Sequence, residues 1–218
     1  MRETKKTAIL APRLPRVPER LDRPHPLRLE EEEQLEDGVL EDTVVTAEGA
    51  AKVRLDRLVL RNVRFEGAAL PQLEGTDLLF ERCDLSNADF SESILHRTAF
   101  VNCKLTGTVF AEATLRNVTF TDCLAPYANF RFSDLKQVRF DGCSLEQADF
   151  TSCEWAKLEL KRTRLEGAQL SRTKLEGIDL RDCEFTSIGV TPHEVSGCII
   201  APEQAASFAR LLGVVIKR

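Results

Sequence analysis

The chain has 218 residues, of which 43% are hydrophobic and 30% charged, with a formal net charge of −5. This length suits one structural domain with tails, and no apolar run approaches the ~20 residues that a membrane span requires. The N-terminus begins at Met1 and lacks the apolar stretch of a secretory signal, so a soluble cytoplasmic protein is expected.

Residues 1–34 differ from the rest. Pro12, Pro15, Pro18, Pro24 and Pro26 oppose regular structure, and eight basic residues precede the acidic run Glu30–Glu33. Such a composition buries too little apolar surface to offset its chain entropy, so a disordered tail is expected. As a basic arm it would touch an acidic partner, but it has no interleaved aromatics for nucleic acid. Residues 35–52 read as an N-terminal cap or imperfect first coil, because Leu35, Leu40 and Val45 keep a five-residue spacing while Gly38, Thr43 and Glu48 fit it poorly.

From Leu55 to Phe185 every fifth residue is large and apolar. Of these 27 positions 14 are Leu, 10 are Phe and one is Trp155; only Gly75 and Ala125 depart. Helices repeat near 3.6 and strands at 2, so a period of five means a backbone that turns a corner every five residues. Two positions before each large residue lies a small or medium one, such as Ala88, Cys103 or Ala148, and the residues between are mostly polar.

A longer period of twenty overlies the five. Cys83, Cys103, Cys123 and Cys143 are spaced at twenty, as are Phe80, Phe100, Phe120 and Phe140, and also Phe90, Phe110, Phe130 and Phe150. Leu85, Leu105 and Leu145, and Leu95, Leu115 and Leu135, complete four columns. Two opposite faces of a square coil therefore stack Phe and two stack Leu. Residues 53–190 give about seven coils, a rod roughly 33 Å long at the ~4.8 Å spacing of adjacent strands.

After Val190 the grid stops. Pro202 suits the first turn of a helix and Gly213 its end, so a short helix at 202–212 followed by an extended Val214-Val215-Ile216 is expected within a terminal segment 191–218.

Ala88-Asp89-Phe90, Ala128-Asn129-Phe130 and Ala148-Asp149-Phe150 resemble the pentapeptide-repeat signature Ala-(Asp/Asn)-(Leu/Phe)-x-x, and the likeness covers residues 53–190. It implies an all-β protein, a right-handed quadrilateral β-helix with four pentapeptides per coil and, here, a short C-terminal helix. The stretch from Ser196-Gly197-Cys198 to Leu212-Gly213-Val214-Val215 is similar to the ending of bacterial quinolone-resistance pentapeptide proteins. In those relatives the terminal helix joins two rods end to end. The resemblance thus implies a homodimer, with Phe208, Leu211, Leu212 and Val215 as dimerisation candidates.

No catalytic, cofactor or metal motif is found. His25, His96 and His193 lack partners at metal spacing, and no phosphate-binding glycine loop occurs. Six of the seven Cys occupy the small inward position and read as packing residues. The grid puts the carboxylates outward on flat faces, without the cleft that perturbs catalytic groups. The chain is read as no enzyme, with no cofactor, no metal and no small-molecule substrate.

Two surface features exceed the background. Leu124, Tyr127 and Phe132 fall outward close to one corner, with Val109 one coil away, and are candidates for partner binding. If Ala125-Pro126 distorts its coil, they instead tuck inward or under the tail. Arg97, Arg116, Lys136 and Lys157 follow one edge, read as a solvated face. The favoured function is a protein-binding scaffold of unidentified partner. The alternative, implied by the resemblance, is a DNA-mimicking protein that binds DNA gyrase and protects it from quinolones. Charge speaks against it: 21 acidic and 18 basic residues within 53–190 fall far short of a duplex, with about one negative charge per 1.7 Å.

Overall fold

The computed structural model describes Leu10 and residues 26–215. The expectation of a disordered tail therefore falls, for residues 1–9 and 11–25, outside the described residues.

Parallel strands at twenty-residue register build the molecule. β2 (Gln34–Glu41), β4 (Arg54–Arg61), β6 (Glu74–Glu81), β7 (Ile94–Val101), β8 (Thr114–Thr121), β9 (Asp134–Asp141) and β10 (Glu154–Ala156) follow one another in a single sheet. Each residue pairs with the one twenty further on, as Phe80 with Phe100 and Phe100 with Phe120. The sheet wraps two adjacent faces, because each long strand runs over a corner. The other two faces are held mostly by isolated parallel bridges such as Asp89 to Val109 and Lys104 to Leu124. The result is a quadrilateral β-helix of about eight turns with one short terminal helix.

The eighth turn comes from the N-terminal side. β1 (Leu27–Arg28) pairs with β3 (Val44–Thr46), which pairs with β5 (Arg64–Phe65), in the same direction as the later coils. Leu27, Leu29 and Leu35 join the core. The boundary expected at residue 34 thus moves: residues 26–34 belong to the first coil. Its signal is weak because Glu30–Glu33 turns the corner in acidic residues.

The core is a pair of Phe ladders. Phe80, Phe100, Phe120 and Phe140 stack at 4.6–4.8 Å between ring centroids. Phe90, Phe110, Phe130 and Phe150 stack at 4.9–5.6 Å. The ladders meet edge to face along the axis, as in Phe110 against Phe120 at 6.1 Å, the offset and T-shaped geometries that aromatic quadrupoles favour. Gly75 interrupts the large column for a reason of space: a Cβ there would lie 2.6 Å from Leu95 and 2.7 Å from Leu78.

The small inward position does more than fill volume. Cys83, Cys103, Cys123, Cys143 and Cys153 each point Sγ at the carbonyl 23 residues earlier, at 2.8–3.5 Å. Thr108, Ser133 and Thr173 donate to the equivalent carbonyls at 2.7–2.8 Å. Cys, Ser and Thr thus serve alike as compact donors. All seven Cys are free thiols, and burial pushes Cys153 and Cys183 up to about 12.

At the C-terminal end α1 (Ala205–Ala209) is flanked by 3-10 turns at Pro202–Gln204 and Arg210–Leu212, and Gly213 closes it with φ 74°. The buried Gln204 amide donates to the carbonyls of Leu180 (2.8 Å) and Cys183 (2.7 Å). Phe208 meets Phe185 edge to face at 5.8 Å. Carbonyls of the last coil are thereby partnered and its open end covered. Among the described residues no helix is long and apolar enough to cross a membrane.

Candidate partner-binding surface

The corners of the coil repeatedly demand a residue with positive φ. Of the non-glycine residues described there, all are polar or charged except Tyr127 (φ 60°) and Phe132 (φ 59°). The left-handed region suits Gly, Asn and Asp, and is uncommon for bulky side chains. In the first turn Ala128 N–H donates to Ala125 O at 3.3 Å, with Pro126 and Tyr127 at the central positions. Pro suits the first of these and a positive-φ residue the second. In the next turn Ser133 N–H donates to Phe130 O at 3.1 Å, and Phe132 takes the same position.

Both rings face solvent: Tyr127 is 60% and Phe132 51% exposed. Leu124 is exposed and Val109 half-buried. The Ala125-Pro126 coil is undistorted. Ala125 N–H donates to Ser144 O at 2.8 Å and Tyr127 N–H to Glu146 O at 2.9 Å, in step with neighbouring coils. No inward tuck occurs at these residues.

The grouping differs from that read in the sequence. Tyr127 and Phe132 occupy successive corners of one coil, so they bracket the face centred on Phe130 rather than cluster at one corner. Val109 lies on that face, bridged to Asn129. Leu124 lies on the adjoining face, bridged to Lys104 and Ser144. The bracketed face also carries Asp89, Glu92, Glu112 and Asp149. Several of these carboxylates are engaged locally: Asp89 accepts from Ser91 N–H at 2.8 Å, Asp149 from Thr151 N–H at 2.8 Å, and Glu92 from Gln72 at 3.0 Å. The Arg131 guanidinium lies 5.5 Å from the Phe132 ring centroid.

The edge of basic residues does not present free cations along its length. Arg97 grips Asp77 through two bonds of 2.6 Å. Arg116 pairs with Asp134, and that guanidinium holds the Asp134 carboxyl below its ordinary range. Among the described residues no group of three or more His, Cys, Asp or Glu is placed to hold a metal ion.

The four C-terminal candidates separate. Phe208 and Leu211 pack partly on the core's end, while Val215 is 78% exposed and Val214 is also exposed. The Leu212 side chain and Ile216 fall outside the described residues. The expected helix at 202–212 matches the turns and helix found, whereas Phe208 spends its ring on Phe185 within its own chain.

Comparison with known proteins agrees with this architecture. The family model described as pentapeptide repeat region matches residues 73–150 and 93–170, and that described as pentapeptide repeats (8 copies) matches 163–187. Among solved structures the chain is similar to HetL, a pentapeptide repeat protein involved in heterocyst differentiation regulation from the cyanobacterium Nostoc sp. strain PCC 7120. Identity is 22%, over 78% of this chain and 85% of that one, with a TM-score of 0.44. It is also similar to QnrB1, a plasmid-mediated fluoroquinolone resistance protein, in a trypsin-treated variant form: 18% identity, 88% of this chain, 99% of that chain, TM-score 0.37. No curated protein matches the chain. The family models together span more than half of the sequence, over coils that the structure shows in unbroken register, and the chain belongs to the pentapeptide-repeat family.

Proposed function

We propose that this protein is a non-catalytic scaffold that binds another protein through the face bracketed by Tyr127 and Phe132. The observation that carries the reading is the placement of two exposed aromatic rings at positive-φ corners. Bulky residues there are strained by roughly 1 kcal/mol or more, and neither ring is buried in return. Aromatic side chains are the usual anchors of protein interfaces. Val109 adds apolar surface between them, and Leu124 extends it around the corner.

The test is the double variant Tyr127→Asn, Phe132→Asn. Asn tolerates the left-handed backbone, so the thermal midpoint is expected to hold or rise. Capture of the partner by cross-linking to the native chain is expected to be lost. A variant that keeps its partner sinks this face as the site. DNA gyrase is the named alternative partner, and a supercoiling assay in which this protein potently inhibits the enzyme would move that alternative first. End-to-end pairing through the exposed Val214 and Val215 is a separate expectation, tested by Val215→Asp in a size measurement.

A further inference from the structure

Within β2, β4, β6 and β7, side chains alternate inward and outward, and on one face the outward row is apolar: Val39, Val59, Leu79 and Ala99, paired in register. Three of them are nearly inaccessible, at 5%, 2% and 8% exposure for Val39, Val59 and Ala99. None of the three belongs to the hydrophobic core cluster inside the rod. The opposite face supplies the comparison. Ala69 and Val109 hold the same place in their pentapeptides, yet both are only half-buried. Position alone therefore does not bury these residues; something lies over them.

The adjoining corner shows the same effect. Asp77 and Asn117 are 4% and 8% exposed, the two buried non-glycine corners among the described residues. Asn117 has a named neighbour from far along the chain: the Leu10 amide donates to its Oδ1 at 3.1 Å, across 107 residues.

We propose that the N-terminal segment, residues 1–25, docks on this outward stripe and covers it. Leu10 sits at the stripe's far end, since Asn117 is two residues before Thr119, the partner of Ala99. Residue 26 enters the first coil beside β1, at the near end. Sixteen residues reach about 50 Å when extended, and the four coil steps from Asp37 to Asn117 span only about 19 Å. The chemistry matches as well. The segment offers Ile9, Leu10, Leu14, Val17 and Leu21 to an apolar stripe. The rim's carboxylates are largely paired with the rod's own arginines, Glu36 and Asp37 with Arg57, Asp77 with Arg97 and Glu81 with Arg61, so apolar contact rather than charge carries the docking. This docking is independent of the partner reading above, which concerns the opposite face.

The test uses the full chain with Leu10→Cys and Thr119→Cys, treated with a short bis-maleimide at neutral pH. Six of the seven native thiols are buried, so the introduced pair dominates. A link within one chain is expected, and none for Leu10→Cys with Asn129→Cys on the opposite face. Equal linking of both pairs, or linking only between chains, overturns the proposal, the latter by making a second copy the cover. Separately, Val59→Glu would bury a charge beneath the segment. Trypsin cleavage after Arg13 and Arg16 is then expected to accelerate about tenfold, because cleavage follows the open population. Unchanged cleavage in a folded Val59→Glu protein also overturns it.

Discussion

At the scale of single residues, the inward small position is where the repeat's chemistry is most legible. Its tolerance for Ala, Cys, Ser, Thr and Val follows from one pocket beside one carbonyl. Cys103→Ala removes a thiol that points at Phe80 O at 3.4 Å and is expected to cost on the order of 1 kcal/mol in chemical denaturation. Thr98, like Ser93, is an exception among these donors. Its hydroxyl is buried without a partner, while Val118 and Val138 follow it in the same column. Thr98→Val keeps the shape and drops the unsatisfied group, so a gain of about 1 kcal/mol is expected; a loss would show that the hydroxyl is partnered in solution. Sequence alone places Thr98 inward, but only the structure shows that its oxygen meets no partner.

At the scale of elements, the coils are readable in the sequence and the ends are not. A strict five-residue period and a twenty-residue superperiod specify turns, faces and register, because a one-residue slip would send every Phe outward. The ends lack that redundancy. Glu30–Glu33 and Gly38 obscure the first coil. The outer stripe is written in the triplets Leu58-Val59-Leu60 and Leu78-Leu79-Phe80, yet nothing in the period says what covers an outward Val. The cap's key residue is also illegible, since Gln204 resembles any polar helix residue until its amide is seen between the carbonyls of Leu180 and Cys183. Gln204→Leu fits the space but leaves both carbonyls without that donor. A loss of about 1–3 kcal/mol is expected, together with faster amide exchange in the last coil; exchange unchanged there would mean that α1 does not hold the end.

At the scale of the whole molecule, charge is organised as ladders rather than as fields. Arg57 reaches back one coil to Asp37, Arg97 to Asp77, and Arg139 forward to Glu159. Long-range potentials consequently cancel along the rod. Asp37, Asp134 and Glu166 lose protons more readily than in the unfolded chain. Asp37 is held low by Arg57, Asp134 by Arg116, and Glu166 by the hydroxyls and amides of Ser187 and Thr186. A folded value below the ordinary 3.8 for Asp or 4.5 for Glu means stabilisation that is complete above those values and lost as pH falls through the folded ones. Thermal midpoints are expected to stay level from neutrality to about pH 5 and to decline below about pH 4; a steady decline from neutrality would point to groups other than these.

The same cancellation governs recognition. A partner drawn by an unpaired acidic face would bind with an affinity that falls steeply as salt rises. Here Asp89, Glu92 and Asp149 are already tied to backbone amides or to Gln72, and the distinctive exposed groups are two aromatic rings. Apolar contact is insensitive to screening, so the affinity for the captured partner is expected to change only about threefold between 50 and 200 mM salt, against the ~10³-fold or greater loss of a protein that contacts six or more phosphates. Tyr127→Asn and Phe132→Asn should each weaken binding more than Asp89→Asn or Glu112→Gln, read by titration calorimetry. The reverse ranking with a steep salt slope would mean that the rod is recognised by its charge and not by the two corner rings.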